Sequence, residues 1–112
     1  DVYRLAAYIN SGREIIPVNI INKPPSAELR PGQKDTDSLP EYEVLDKILH
    51  EYIELQKSSN EIVESGYDEK LVKKVIQMVN MNEYKRYQTP PILRISSKAF
   101  GEGRKLPIVA RY

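Results

Sequence analysis

Two short stretches of the sequence carry cationic side chains in settings that suit the binding of an anion. Lys23 precedes two prolines, and a backbone that proline has stiffened is well suited to aiming an ammonium group at a phosphate. Tyr84, Lys85 and Arg86 form a second, compact group of donors, which suits an anionic ligand. Each stretch also has a plainer interpretation, namely a solvated loop lysine for the first and a cationic helix C-terminus for the second.

Side chains for acid–base, covalent or metal chemistry are sparse. His50 is the only histidine and lies beside an apolar stripe, so it is interpreted as a boundary residue, since a lone histidine cannot form a metal site. The serines that were considered as nucleophiles lie outside any G-x-S-x-G setting, and neither glycine-rich phosphate loop occurs. These serines are Ser26, Ser96 and Ser97. The sequence therefore assigns no catalytic residue.

Four acidic side chains, within and just after residues 23–40, could attract a cation. They lack the spacing and the glycine of a calcium-binding loop, so loop and cap roles are expected for them. The four are Asp35, Asp37, Glu41 and Glu43. No metal ligand is assigned.

The composition is that of one small globular domain. Hydrophobic residues make up 40% of the 112 positions and charged residues 29%, which is an ordinary balance for a folded domain. The absence of cysteine excludes disulfides, thiolate catalysis and cysteine-bound metals. No apolar run approaches the ~18 residues of a membrane span. A cytoplasmic location without a membrane partner is expected.

Charge is distributed unevenly along the chain. Residues 41–70 carry nine acids against three bases, whereas residues 84–112 carry seven bases against one acid. A basic tail of this kind suits phosphates or nucleic acid, or it docks on an acidic surface of its own protein.

Hydrophobic periodicity predicts an amphipathic helix at the start of the chain. Val2, Leu5, Ala6 and Ile9 recur at helical spacing, and the helix is expected to end at the stretch that begins with Asn10. The following "EIIPVNIIN" is broken by a proline and is interpreted as a packed turn that leads into a long loop.

Two stronger helices are predicted further along the chain. The first is expected to begin with a capping box of Ser38 and Glu41, and the second with Asp68 as its N-cap. The apolar stripe of the first comprises Val44, Leu45, Ile48, Leu49, Tyr52 and Leu55, and that of the second comprises Leu71, Val72, Val75, Ile76 and Val79. Asn80 and Glu83 repeat the capping spacing and predict that "NEYKRYQ" either starts a new turn or bends the preceding helix. A pair of prolines stops it.

Residues 23–40 carry four prolines and no hydrophobic periodicity. An irregular segment of this length is uncommon in a compact domain unless it is a lid, a binding loop or a disordered linker. The tail after the second long helix is expected to be mostly extended loop. The predicted fold class is mainly α with long loops, in which the helices complete one side of an α/β sheet from sequence outside this chain.

Three stretches together carry a resemblance to a known family. "KPPSAELRPGQKDTDSLPEYEVLD", "NEYKRYQTPP" and "SSKAFGEGRKLPI" resemble the carboxy-terminal part of NAD+ synthetases, in the long, glutamine-dependent form, and the likeness runs over essentially the whole chain. The resemblance implies a part of an α/β synthetase domain of the adenine-nucleotide α-hydrolase-like (ATP pyrophosphatase) class. It also implies an ATP-dependent ligase that adenylates deamido-NAD+ and then forms NAD+ with ammonia from glutamine.

The resemblance further implies roles for individual residues. Lys23 matches the lysine that contacts ATP, and Lys85 matches the lysine that binds deamido-NAD+. Tyr84 stands where the short form of the family has a histidine, so a hydrogen bond made by that ring does not carry over. Residues 30–40, within the binding loop 23–40, match a mobile lid over ATP. No threonine aligns with the family's phosphate-binding threonine, so Thr36 receives no role.

Several expectations concern the rest of the enzyme. Residues 1–112 match the C-terminal part of the synthetase domain, with 84–112 as a basic substrate-binding turn and tail. The S-G-G-x-D-S loop, the acidic metal ligands and the glutaminase domain of the family do not occur in this sequence. The isolated chain is therefore expected to be inactive and to hold neither ATP nor Mg2+ tightly. Its expected partners are ATP, deamido-NAD+, the remainder of the synthetase chain and a second copy in a homo-oligomer.

Two other functions stay open at this point. One is a helical assembly segment without a ligand of its own. The other is a nucleic-acid-binding module, which has less support because the bases of the tail do not lie on one helix and the aromatic residues form no stacking platform.

Overall fold

A computed structural model describes residues 1–98 and 106–107 of the chain. It divides the chain into two compact units, Asp1–Leu39 and Pro40–Tyr112. All regular structure among the described residues is helical, and strands do not occur there. This agrees with the mainly α prediction. Within the same residues, no helix has the length and apolar character required to cross a membrane.

The first unit begins with helix α1, Val2–Ile9, which ends at Asn10 as predicted. The Asn10 side chain explains the ending, because its Oδ1 accepts hydrogen bonds from the backbone N–H groups of Ile15 (3.0 Å) and Ile16 (2.9 Å). The same side chain donates from Nδ2 to the Ile16 carbonyl at 2.8 Å. The predicted apolar stripe is present but uncovered within this unit, since Val2 is 80% and Leu5 60% exposed.

Helix α2, Val18–Asn22, replaces the packed turn that the sequence predicted. Pro17 was interpreted as a breaker, and that was wrong because it stands at the helix N-cap. Its carbonyl accepts from Ile20 N at 3.0 Å, and Glu14 Oε1 accepts from Val18 N at 3.1 Å. Proline is tolerated at a helix start, where its missing N–H would have no partner in any case.

Among its described residues, the second unit contains four α-helices. They are α3, Tyr42–Leu49; α4, Ser59–Glu64; α5, Glu69–Met81; and α6, Glu83–Arg86. Four aliphatic side chains form its core, namely Ile48, Ile62, Val72 and Val75. They come from α3, α4 and α5, so burial of this cluster holds the three helices together.

A π-helical turn, His50–Glu54, follows α3 directly. The turn is marked by a hydrogen bond from Leu55 N to the His50 carbonyl at 3.1 Å, five residues back. The wider turn shifts the phase of the apolar stripe. Ile53 is therefore buried, while Leu55, which was predicted on the buried stripe, is 54% exposed.

The cap at the start of α3 differs from the sequence prediction. The box of Ser38 and Glu41 was wrong, because α3 has Glu41 as its N-cap without a side-chain hydrogen bond. Pro40 explains this, since it disfavours the helical conformation at Leu39 that such a box needs. Asp68 caps α5 as predicted, accepting from Leu71 N at 2.8 Å.

The capping box that does form starts α4. Ser58 Oγ accepts from Glu61 N at 3.4 Å, and Glu61 Oε2 accepts from Ser58 N at 2.8 Å. Hydrogen bonding to Ser58 also lowers the pKa of the Glu61 carboxyl. The cap sets where α4 begins, and thereby where Ile62 enters the core.

We predict that truncating Ile62 to alanine lowers the free energy of unfolding of the chain by about 2–5 kcal/mol, since the side chain is fully buried. The matched control is Ile95→Ala, because Ile95 is 80% exposed and its truncation should change stability by less than about 0.5 kcal/mol. Urea denaturation followed by circular dichroism measures both. Equal losses for the two variants would contradict the assignment of the core.

Candidate functional site

Lys23 lies at the C-cap of α2 in extended backbone, with φ −62° and ψ 125°. Its exposed Nζ donates to Oε1 of Glu28 at 2.5 Å. This hydrogen bond, with the opposite charge, raises the pKa of the Lys23 ammonium and lowers the pKa of the Glu28 carboxyl. The cation predicted to bind a phosphate is thus solvent-accessible and is paired with a carboxylate of its own loop.

Glu28 adopts a left-handed backbone conformation with φ 53°, which is uncommon outside glycine. Its N–H donates to Ser26 Oγ at 3.1 Å, and the next residue, Leu29, donates from its N–H to Gln33 Oε1 at 3.0 Å. These contacts close a turn that directs the Glu28 carboxylate back to Lys23. Ser26, which was considered as a nucleophile, acts here as a hydrogen-bond acceptor.

The remainder of the long loop is held together by polar contacts. Asp35 N donates to the Pro25 carbonyl at 3.0 Å, across the loop. Asp37 Oδ2 accepts from Lys34 N at 3.1 Å and from Arg30 Nη2 at 3.4 Å. A 3-10 helix, Asp35–Asp37, thereby forms inside a segment predicted to be irregular.

Exposed ion pairs such as Arg30–Asp37 contribute little to stability, about 0–1 kcal/mol. Ion pairs of this kind therefore add little to the stability of the loop conformation. The lid role of residues 30–40 stays a prediction that this arrangement allows.

Tyr84 and Lys85 lie in the second unit, on helix α6. Both side chains are exposed, and the Lys85 Nζ lies 5.9 Å from the centroid of the Tyr84 ring. An ammonium at this distance interacts favourably with the face of an aromatic ring. Tyr84 and Lys85, which are predicted to bind the substrate, thus form an exposed pair that consists of an aromatic ring and a cation.

Arg86 does not join Tyr84 and Lys85 in the donor cluster that the sequence suggested. Its side chain is only 15% exposed and is paired with Glu83, whose side chain is 1% exposed. Arg86 Nε donates to Glu83 Oε1 at 2.9 Å, and Arg86 Nη2 donates to the same oxygen. This pairing raises the pKa of Arg86 further above its already high value. The missed signal was the i, i+3 spacing of opposite charges at Glu83 and Arg86.

The last turn of α5 is connected to the π-helical turn by one buried contact. Tyr52 OH donates to Oδ1 of Asn80 at 3.1 Å, and Asn80 is 3% exposed. Asn80 was predicted to cap a new turn together with Glu83. The predicted new turn does form as α6, but Asn80 does not cap it, because α5 runs through Asn80 and Asn82 stands at the start of α6.

Glu54, at the end of the π-helical turn, binds the segment that follows the proline pair. Its two carboxylate oxygens accept from Ser96 Oγ (2.6 Å), from Ser97 Oγ (3.0 Å) and from Lys98 N (3.0 Å). Both serines are therefore engaged by a carboxylate. Arg94 also contacts this segment, since its Nε donates to the Ser96 carbonyl at 3.2 Å.

His50 is exposed at the first position of the π-helical turn, in keeping with its interpretation as a boundary residue. No group of three or more His, Asp or Glu side chains that could hold a metal ion occurs within residues 1–98 and 106–107. Residues 99–105 and 108–112 of the predicted basic tail, which include Arg104, Lys105 and Arg111, lie outside the described residues.

The sequence matches a known family over most of its length. The family model of NAD synthase matches residues 1–89. Glutamine-dependent NAD(+) synthetase of Thermotoga maritima is 51% identical over 114 aligned residues, which include 100% of this chain and 20% of the relative. The protein of that name from Acinetobacter baylyi is 52% identical, with 96% of this chain and 20% of the relative covered. The chain therefore belongs to the NAD synthase family.

One solved structure resembles the chain closely. It is glutamine-dependent NAD+ synthetase from Acinetobacter baumannii in complex with ADP, with a TM-score of 0.62 and 40% sequence identity. The match covers 96% of this chain and 18% of that protein. The chain thus spans about a fifth of the length of the relatives it matches.

We predict that replacing Lys23 by methionine raises the pKa of the Glu28 carboxyl back towards its usual range, because its hydrogen-bonded cation is removed. In the unchanged chain the carboxylate is protonated, and the ion pair lost, only as the pH falls through the lowered pKa. Carboxyl NMR titration measures the change. Glu61 is the internal control, because its low pKa arises from Ser58. An unchanged Glu28 titration would show that the pair does not form.

We predict that Glu54→Gln speeds hydrogen exchange at the Lys98 amide by about tenfold or more, because a charged acceptor of three hydrogen bonds becomes neutral. The control is Glu64→Gln, an exposed position on α4. Exchange at Lys98 that is the same in both variants would contradict the role of Glu54 as the acceptor for this segment.

Proposed function

We propose that this chain is part of a glutamine-dependent NAD+ synthetase, an ATP-dependent amide ligase. In the proposed reaction the nicotinate carboxylate of deamido-NAD+ is adenylated with release of pyrophosphate, and ammonia then displaces AMP. The observation that carries the proposal is the likeness over the whole chain, at 51% identity, to a relative of that name. The helices would pack on an α/β sheet of the adenine-nucleotide α-hydrolase-like class, contributed by the remainder of the synthetase.

Lys23 is proposed to bind the phosphates of ATP. Its ammonium is exposed, and its present partner, the Glu28 carboxylate, is exposed as well. An exposed pair of this kind exchanges readily, because each group is also well solvated when they separate. A phosphate oxygen can then take the place of the Glu28 carboxylate as the acceptor. The ADP bound to the Acinetobacter baumannii neighbour supports a nucleotide partner.

Tyr84 and Lys85 are proposed to bind deamido-NAD+. The Lys85 ammonium supplies the charge for an anionic substrate, and the Tyr84 ring beside it offers a flat surface to an aromatic group of the same substrate. Both side chains extend from a helix whose other face is buried. The phenol hydroxyl of Tyr84 can also form a hydrogen bond.

Residues 30–40 are proposed to close over ATP as a lid. The adenylate has to be kept from water until ammonia arrives, and a segment that opens at low cost suits that task. Mg2+ is expected in the intact enzyme together with ATP. The described residues do not offer a cluster that fits the ion.

The remaining partners are proposed on the exposed surfaces. Apolar side chains of α1, such as Val2 and Leu5, are uncovered in the first unit. They are proposed to pack on the remainder of the synthetase, and the complete enzyme is proposed to be a homo-oligomer in the cytoplasm. Exposed apolar groups of this extent favour such association.

The test is to replace the matching segment of the Thermotoga maritima relative by this chain and to measure NAD+ formation from deamido-NAD+, ATP, Mg2+ and glutamine. We predict activity from the hybrid. Lys23→Ala should lower kcat/KM for ATP, and Lys85→Ala should lower kcat/KM for deamido-NAD+, each by about 10- to 100-fold. That range corresponds to one charge-assisted hydrogen bond of about 1.5–3 kcal/mol.

The matched control is Lys70→Ala, an exposed lysine of α5, which should leave both values unchanged. A folded hybrid without activity would contradict the proposed function. Activity that is insensitive to both lysines would contradict the assigned sites while leaving the reaction in place.

A further inference from the structure

Helix α6 is a single turn with two different faces. Glu83 and Arg86 are three positions apart and share the face turned into the second unit, where Glu83 is 2% exposed. Tyr84 and Lys85 lie between them in sequence and are exposed on the other side, with Tyr84 at 47%. The orientation of the inner pair therefore sets the direction in which the outer pair is presented.

A helix of four residues does not hold itself in place through its backbone. Helix nucleation is unfavourable, and short helices depend on packing for their stability. The backbone contacts at this turn include Lys85 N to the Asn82 carbonyl at 3.0 Å and Gln88 N to the Lys85 carbonyl at 3.1 Å. Side-chain contacts of the buried face are thus required to fix the turn.

The contacts on the buried face are directional. Two guanidinium nitrogens of Arg86 donate to one oxygen of Glu83. A buried ion pair is often no more stabilising than an apolar pair of the same size. It differs from an apolar pair in that it imposes one geometry, because charge-assisted hydrogen bonds of a planar guanidinium are strongly directional.

The same contacts give the two adjacent cations, Lys85 and Arg86, different roles. Arg86 already donates to a buried carboxylate, whereas the Lys85 ammonium lies at the surface. Lys85 therefore supplies the charge with which this turn can bind an anion, whereas Arg86 pairs with Glu83 on the buried face of the turn.

We propose that Glu83 and Arg86 are positioning residues, which hold Tyr84 and Lys85 in the orientation required to bind deamido-NAD+. The inference rests on the proposed function of Tyr84 and Lys85. Neither Glu83 nor Arg86 is proposed to touch the substrate.

The test uses the hybrid enzyme with two variants. Glu83→Gln keeps the shape of the side chain and removes its charge. The paired variant Glu83→Met/Arg86→Met fills the same space with apolar groups, so that the turn stays packed without a directional contact. For each variant we expect KM for deamido-NAD+ to rise by about tenfold or more, with KM for ATP within about twofold of the unchanged hybrid.

The matched control is Glu69→Gln, which removes the charge from the exposed i, i+4 pair with Lys73 on α5 and should leave both KM values unchanged. A paired methionine variant with an unchanged melting temperature and an unchanged KM for deamido-NAD+ would overturn the proposal. An equal rise of both KM values would also overturn it, because that pattern indicates general damage to the fold.

A second readout does not depend on catalysis. In the unchanged chain, nuclear Overhauser contacts should join the Lys85 side chain to the Tyr84 ring, and the paired methionine variant should lose them. Contacts of equal strength in the two proteins would overturn the positioning role. If the unchanged hybrid forms no NAD+, the proposed function fails, and this readout still decides whether Glu83 and Arg86 orient the turn.

Discussion

The burial of four aliphatic side chains is the constraint on which the second unit depends. Ile48, Ile62, Val72 and Val75 come from three helices, the longest of which has 13 residues. Helices this short are marginal by themselves, so their shared core supplies most of the reason for their formation. Helix α6 and the segment bound by Glu54 then attach to this core through polar contacts. Tyr84 and Lys85, which are proposed to bind deamido-NAD+, thus lie on a helix that depends on this small apolar core.

A carboxylate holds each segment that bears a candidate functional group, and its burial decides what it does there. Glu28 is exposed and pairs with Lys23, so its bond can be exchanged for a phosphate. Glu83 is buried and pairs with Arg86, so its bond is kept and orients the turn. Glu54 accepts three hydrogen bonds and secures a loop. The same pairing of a carboxylate with a cation therefore permits exchange of partners where the pair is solvated and fixes the orientation of a helical turn where the pair is buried.

Periodicity in the sequence predicted α3 and α5 of the second unit, because a stripe such as Val72 and Val75 has one interpretation at helical spacing. It could not predict the phase change that buries Ile53 in place of Leu55, since a π-helical turn leaves no pattern of its own. Two local sequence signals also conflicted before α3. The restriction that Pro40 places on the residue before it prevented the capping box that the spacing of Ser38 and Glu41 predicts. Lys23, Tyr84 and Lys85 were singled out by residue type. The i, i+3 spacing of Glu83 and Arg86 indicates that they can pair, but it does not reveal that the pair is buried, which removes Arg86 from the donor cluster.

We propose that two exposed cations of this chain bind nucleotide substrates, Lys23 by exchanging the Glu28 carboxylate for a phosphate of ATP and Lys85 by contacting deamido-NAD+. The most direct measurement is a crystal structure of the hybrid enzyme with a non-hydrolysable ATP analogue and deamido-NAD+. The account predicts Lys23 Nζ within hydrogen-bond distance of a phosphate oxygen, with the Glu28 carboxylate displaced, and Lys85 in contact with deamido-NAD+. Both ligands bound while Lys23 stays on Glu28 and Lys85 contacts only solvent would contradict it.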